Sequence, residues 1–421
     1  MKKVVVLFLL AGLYTRCSVD SMQTIYYSVN KPVFTSPEAF RNSVKVTSNA
    51  HELSDCGKIC FYNDYLYISE PGKGVHIIDN TYPSRPQAKG YIEIPGNQDI
   101  IVRDHLLFAD ALVDLLWFDL SNPSQPVLKG RMENLFPEAL PVIENEFDYD
   151  YTACQTGIAQ GKIVTGWRLK ECEERQSGTS SSTFHPFSAP VLSVGGNYSG
   201  TTRTYTTCFC LYEHYLYTIA NYQMHIIDLS GATPEKVAGN IFISNAGTVT
   251  VYRDKLLIGT PLSLTIYSVE DPLQPNLLSQ IMHIYSTCNP FAVDEDLVYV
   301  SIRSGNICGQ NDNRVQIFDI SDVTAPVEAA SCSMTYPKGL KISNGMLFLC
   351  DDGLKIFKVG KPESLIENQL AHHSQIDSYD LAMVNNILIV ISDLGLYQYD
   401  CSDLFEGNDG SIHLLSVMPR R

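Results

Sequence analysis

The stretch DHLLFADALVDLLWFDLSNPSQPVLKG, residues 104–130, decides the fold. It reads as a short apolar strand, a tight loop, a second apolar strand ending in Asp119, a proline-containing turn and a strand that alternates. The pattern recurs at 63–90, 213–239, 253–279, 295–330, 343–369 and 384–416. Asp79, Asp119, Asp228, Ser268, Asp319, Lys358 and Asp400 close the equivalent strand, with spacings of 40, 40, 39 and 42 residues wherever no insertion intervenes. Eleven residues further on stand Gly90, Gly130, Gly239, Ser279 and Ala330; a small residue there suits an outer strand passing close to a neighbour, and Gln369 breaks the rule.

Inner strands such as 106–109 and 115–118 are apolar throughout, so protein must cover both their faces. The last strand alternates: Ala88, Gly90, Ile92 and Ile94 share one side and Lys89, Tyr91 and Glu93 the other, the mark of a half-solvated outer strand. Four-stranded units of this length, dry in the middle and wet at one edge, are the blades of a β-propeller. The expected fold is all-β: a single β-propeller over 40–421, its seven four-stranded blades at 57–95, 96–137, 207–244, 245–285, 286–337, 338–374 and 375–421. One long insertion, 138–206, interrupts the period, and a strand expected at 161–169 leaves room for an eighth blade. Ring closure has two routes. In the favoured one, 43–46 adds to the outer edge of the last blade; in the other, 412–417 completes that blade unaided.

The stretches PGKGVHIIDN (71–80), FDLSNPSQPVLKG (118–130), YLYTIANYQMHIIDLS (215–230), SIRSGNICG (301–309) and DLGLYQYDCSD (393–403) resemble the bacterial LVIVD-repeat propeller lipoproteins. The likeness covers nearly the whole chain, including FRNSVKV (40–46) before the first blade. It implies a propeller displayed on a Gram-negative envelope, in a family with no settled activity, so no catalytic residues carry over. The chain departs from the pattern at Ser268 and Lys358, where the strand-ending Asp is lost.

Lys2, Lys3 and the apolar run 4–13 form a secretory signal too short to span a bilayer, which makes 1–16 a signal peptide. Cys17 stands where a lipoprotein signal places its acylated cysteine, with 17–39 as a tether. Tyr14, Thr15 and Arg16 replace the small residues a lipoprotein peptidase prefers, so an ordinarily cleaved signal with a periplasmic product is the alternative. Loss of Lys2, Lys3 and Arg16 takes the formal charge from −16 to −19, which repels nucleic acid and anionic lipid. The expected partner is therefore an envelope protein or glycan, with the membrane reached only through the anchor, at the outer membrane or cell surface.

The sequence holds no GxSxG elbow, HExxH, glycine-rich phosphate loop or EF-hand ladder. Glu144, Glu146, Asp148 and Asp150 alternate with aromatics; as a strand they would line one face, either as a Ca²⁺ row or as a charged edge that blocks aggregation. No other cofactor is indicated. Eleven cysteines follow Cys17, so at least one stays unpaired. Cys60, Cys208, Cys210 and Cys350 read as buried thiols, while Cys288 with Cys308 and Cys154 with Cys172 are the expected disulfides. Adjacent His372 and His373 project to opposite faces and read as a cap on a blade-to-blade turn.

One constellation stands out. Glu70, Asp110, Asp351 with Asp352, and Asp393 end the second strands of consecutive blades, and Arg303 holds the equivalent place in blade five. Loops carrying Asn97, Asp99, Asn289, Lys338, Tyr379 and Asp380 share that face. The mouth of the channel is the usual place for a propeller ligand. The plainer reading of these acids is that strand ends prefer solvated carboxylates. The expected function is a non-catalytic binding or scaffold module acting through this face; the alternative is a saccharide hydrolase or lyase using these carboxylates as acid and base.

Overall fold

The computed structural model describes residues 22–145, 147–177, 207–220, 222–243, 246–260, 263–282, 290–304, 312–407 and 411–420. Seven antiparallel sheets, each with strands A to D in sequence order, follow one another around a ring. Strand A lies innermost, packed against the A strands of neighbouring blades. Blade one runs Ile59–Tyr62, Tyr65–Glu70, Gly74–Asp79 and Gln87–Glu93. The others span 100–132, 208–242, 248–282, 291–333, 340–373 and 380–419.

Strands B and C are buried on both faces because seven apolar wedges separate the blades. Tyr67, Ile77 and Ile92 of blade one, for example, pack with Leu107, Leu116 and Phe118 of blade two. The seventh wedge joins Ile389 and Leu396 of the last blade to Leu66, Ile68 and Ile78 of the first, which closes the ring. Asn80 and Gln398 exchange two buried hydrogen bonds across that junction, and Arg420 pairs with Asp55 at 2.7 Å.

The repeating residues have local reasons. Asp79, Asp119, Asp228, Asp319 and Asp400 each accept the N–H two residues on, an Asx turn that ends strand C; Ser268 does the same with its hydroxyl. Lys358 cannot, and blade six instead turns through the 3₁₀ segment Pro362–Ser364. In all seven blades the next N–H (Asn80, Leu120, Leu229, Val269, Ile320, Val359, Cys401) donates to the A–B turn. That turn passes through a left-handed residue each time, Asn63, Asp104, Glu213, Arg253, Glu295, Asn344 or Asn385. A bulge in every strand D sets a small side chain opposite the second residue before the strand-C terminus: Gly90, Gly130, Ala238, Ser279, Ala330, Ala371 and Ser416. The rule thus holds in all seven blades, with Ala238 in place of Gly239 and Ala371 in place of Gln369.

Several expectations are corrected. Lys45–Thr47 joins the outer strand of blade one, at Tyr91 to Glu93, so 43–46 does not close the last blade; His413–Pro419 completes that blade alone. Met22–Thr35, expected within a tether, is a strand, and it pairs along its whole length with Ile163–Ser177. The strand expected at 161–169 therefore belongs to a separate hairpin, not to an eighth blade. Glu144, Asp148 and Asp150 do not lie on a strand. Asp150 caps the helix Tyr151–Ala159 and pairs with Lys31, because a helix start needs an acceptor for its free N–H groups. Cys154 and Cys172 are separate thiols, the first buried and the second half-buried on the hairpin. Cys17, Glu146, Cys288, Asn289 and Cys308 lie outside the described residues.

A Cβ on Gly130 would collide with the Trp117 indole, whereas one on Gly166 meets nothing within 4 Å. Gly130→Ala is expected to lower stability by about 1–3 kcal/mol. Gly166→Ala should leave it within about 0.5 kcal/mol. Urea unfolding of the two variants checks the contrast.

Candidate functional site

The expected carboxylates do sit at the ends of strand B, but not as a free ring. Asp110, 1 % exposed, accepts from Gln98 N at 2.7 Å, Asp99 N at 2.9 Å and Asn97 Nδ2 at 3.0 Å. Asp351, equally buried, accepts from the N–H groups of Thr335 and Tyr336 and from Lys355 Nζ at 2.7 Å. Each therefore braces the connection that enters its blade. Glu70 accepts from Tyr91 OH at 2.8 Å, Lys73 Nζ at 2.7 Å and the Ser54 hydroxyl, with His76 Nε2 at 3.2 Å. Burial works to raise its pKa, but those four partners outweigh it and hold the carboxyl well below the ordinary range.

Asp99 is held 3.2 Å from Lys58 Nζ through both carboxylate oxygens, and accepts from Phe209 N at 2.7 Å. Burial pushes Asp99 up, opposed by Lys58; burial works against the Lys58 charge, yet Asp99 carries its pKa above the ordinary lysine value. Lys58 sits deep among three blades, yet 38 % of its side-chain surface still reaches water, as suits a group beside the central channel. Asn97 is fully buried and donates to Asp99 O and Asp110 O.

A roof explains this burial. Phe40 of the short helix Pro37–Arg41, with Leu135, Phe136, Ala139 and Ile163, packs on Leu112, Val113 and Ala220 at the B–C turns of blades two and three. Arg41 and Arg131 reach beneath it to the fully buried Asp114 at 3.0 and 2.8 Å. The face over those blades is thus occupied by the chain itself.

Among the described residues, no comparable roof lies over blades five, six, seven and one. Arg303 stacks on the Tyr336 ring, with its guanidinium carbon 5.7 Å from the centroid. Asp352 and Asp380 are exposed, as is Lys341, while Lys338 is half-buried. Asp393 is 3.8 Å from Arg420, and Tyr379 OH donates to Cys56 O at 3.4 Å. His372 and His373 do separate: His372 Nε2 lies 2.7 Å from Asp352 O, while His373 turns inward. No cluster of three metal-ligating side chains occurs among the described residues. Asp114, Lys58, Lys73 and Lys355 were missed by sequence reasoning. The short spacings of Glu70 with Lys73 and of Asp351 with Lys355 offered the local signals.

The sequence matches the LVIVD repeat at residues 55–93, 99–134 and 292–334, which fall on blades one, two and five. The chain is a seven-bladed β-propeller that carries LVIVD repeats. Among solved structures it is similar to the WD40 domain of Neurospora crassa Pan2 (TM-score 0.53, 9 % identity, 81 % of this chain and 86 % of that one). It is also similar to the computationally designed Ika8 protein (TM-score 0.50, 9 % identity, 89 % and 91 %). Likeness at that identity speaks for the fold alone. A comparison with curated proteins gives no match.

In this propeller the Asp110 carboxyl carries a built-in pH dependence. Burial raises its pKa from 3.8 to about 7, against the pull of the Asp99 and Gln98 N–H groups. Its stabilising contribution is therefore fully present below about pH 4 and is lost as pH rises through about 7. Asp110→Asn keeps an oxygen acceptor without the charge. It should flatten the pH profile of urea unfolding and raise stability at pH 8 by about 1–3 kcal/mol.

Proposed function

We propose that the protein is an exported, lipid-anchored propeller that binds an envelope protein or glycan, without catalysis, through the sector over blades five, six, seven and one. The observation that carries this reading is the fate of the carboxylates. Glu70, Asp110 and Asp351 are each saturated by internal donors, so they are committed to bracing loops and are not free to exchange protons with a substrate. The side chains that remain at the uncovered surface are of both signs, with the Arg303 and Tyr336 stack among them. Arginine and tyrosine are the residue types that anchor binding surfaces. The positive n-region, the short apolar run and Cys17 support export and anchoring.

Two measurements test the reading. Lys338→Glu with Lys341→Glu should weaken binding to immobilised envelope glycan and protein fractions by about tenfold. Equal retention of wild type and variant would remove this sector from consideration. Cells should incorporate labelled palmitate into the wild type and not into Cys17→Ala; equal labelling of both refutes the anchor.

A further inference from the structure

Between blades six and seven the structure holds a cleft of about 370 Å³, within the size range of small-ligand sites. Its walls come from three places. Tyr397 and Tyr399, two apart on strand C of blade seven, share the sheet face that looks toward blade six, with Leu414 opposite Tyr399 on strand D. His373 ends strand D of blade six, and Gln375, Ile376 and Asp377 form the connection into blade seven. Leu394 sits at the B–C turn and opens the cleft at the rim of the uncovered face. Blade six has the shortest outer strand of the seven, 5 residues in Gln369–His373, and the cleft lies beside the end of that strand.

The lining is chemically specific. It combines two aromatic rings and aliphatic side chains with one carboxylate, one carboxamide and one imidazole, and it contains no lysine or arginine. The His373 Nε2 atom is closed off from water and has no hydrogen-bond partner, and its pKa is lowered by burial and by His372, which keeps the ring neutral. A buried nitrogen without a partner is costly.

We infer that this cleft binds an uncharged saccharide unit. A sugar ring presents an apolar C–H face that suits tyrosine rings and a rim of hydroxyls that suits Asp377, Gln375 and His373. The single carboxylate, in a lining without lysine or arginine among the described residues, disfavours acidic, phosphorylated or sulfated sugars. The inference goes beyond the binding reading: it assigns a saccharide site beside the charged sector, not on it.

Saturation-transfer NMR and titration with N,N′-diacetylchitobiose, cellobiose and digalacturonic acid provide the test. At least one of the two neutral disaccharides should bind, and the acidic one should bind at least about tenfold more weakly. Tyr397→Ala, and Leu414→Trp, which fills the cleft from a half-exposed position, should each cost about tenfold or more. Asp377→Asn, at an exposed residue, should narrow the gap between neutral and acidic ligands without altering thermal unfolding. Absence of binding by both neutral disaccharides overturns the inference, as does binding that survives Tyr397→Ala and Leu414→Trp unchanged. Saccharide binding lost in Lys338→Glu with Lys341→Glu but retained in the cleft variants would overturn the inference and leave the face reading standing. Retention of envelope protein with no saccharide binding would do the same.

Discussion

A sheet that is apolar on both faces cannot stop at one neighbour. Strands B and C of every blade here are dry on both sides, so each blade needs a second sheet in front of it and another behind, and an open row would leave two faces wet. A closed ring is the arrangement that satisfies all seven. The remaining features follow from that demand. The wedge between the last blade and the first is built like the other six, from Leu66, Ile68, Ile78, Ile389 and Leu396. Polar links then fix the register of neighbouring blades: Tyr67 OH donates to Pro123 O, Tyr217 OH to Pro272 O and Ser416 Oγ to Pro83 O, each across a junction onto the next C–D corner.

Once the ring is closed, the ends of strand B become crowded places where chain enters and leaves. The connections there expose backbone N–H groups that water cannot reach, and buried donors demand acceptors. Asp110 and Asp351 meet that demand directly, whereas Glu70 accepts from the side chains of Tyr91, Ser54 and Lys73. Two of the acids that read as a binding constellation are therefore an answer to backbone hydrogen bonding. The cost appears at Asp110, whose carboxyl is so enclosed that its charge is disfavoured near neutral pH. At Glu70, closer to cations, the balance tips the other way. The difference lies in the partners supplied by neighbouring loops, not in the residue or in its place on the strand.

The segments outside the repeat do not add blades; they cover edges and faces. Lys45–Thr47 caps the outer strand of blade one, leaving the closing strand of blade seven to its own hairpin. The hairpin of Met22–Thr35 with Ile163–Ser177 joins residues more than a hundred positions apart, and with Phe40 and Phe136 it roofs blades two and three. Among the described residues, no equivalent segment covers blades six and seven.

The blade is legible in the chain alone, because it is written in short-range terms. Alternation, two-sided apolar runs, the Asp that turns strand C and the small residue on strand D all lie within one forty-residue window, and all seven copies form blades, with the small residue shifted to Ala238 and Ala371 in two of them. Whatever joins distant windows was settled by the folded chain. Which strand the segment at 43–46 would cap, where the strand within 161–169 would pair, and whether Asp150 would face a cation site or Lys31 depended on contacts between residues far apart in the chain. The same holds for the acids: their position on strand B was legible from the period, but a carboxylate becomes a brace or a free ligand according to which N–H groups and ammonium groups the closed ring brings within three ångströms. Local pattern fixes the unit, because its hydrogen bonds and faces are set within it. Ring closure fixes the site, because burial and charge pairing belong to the assembled surface.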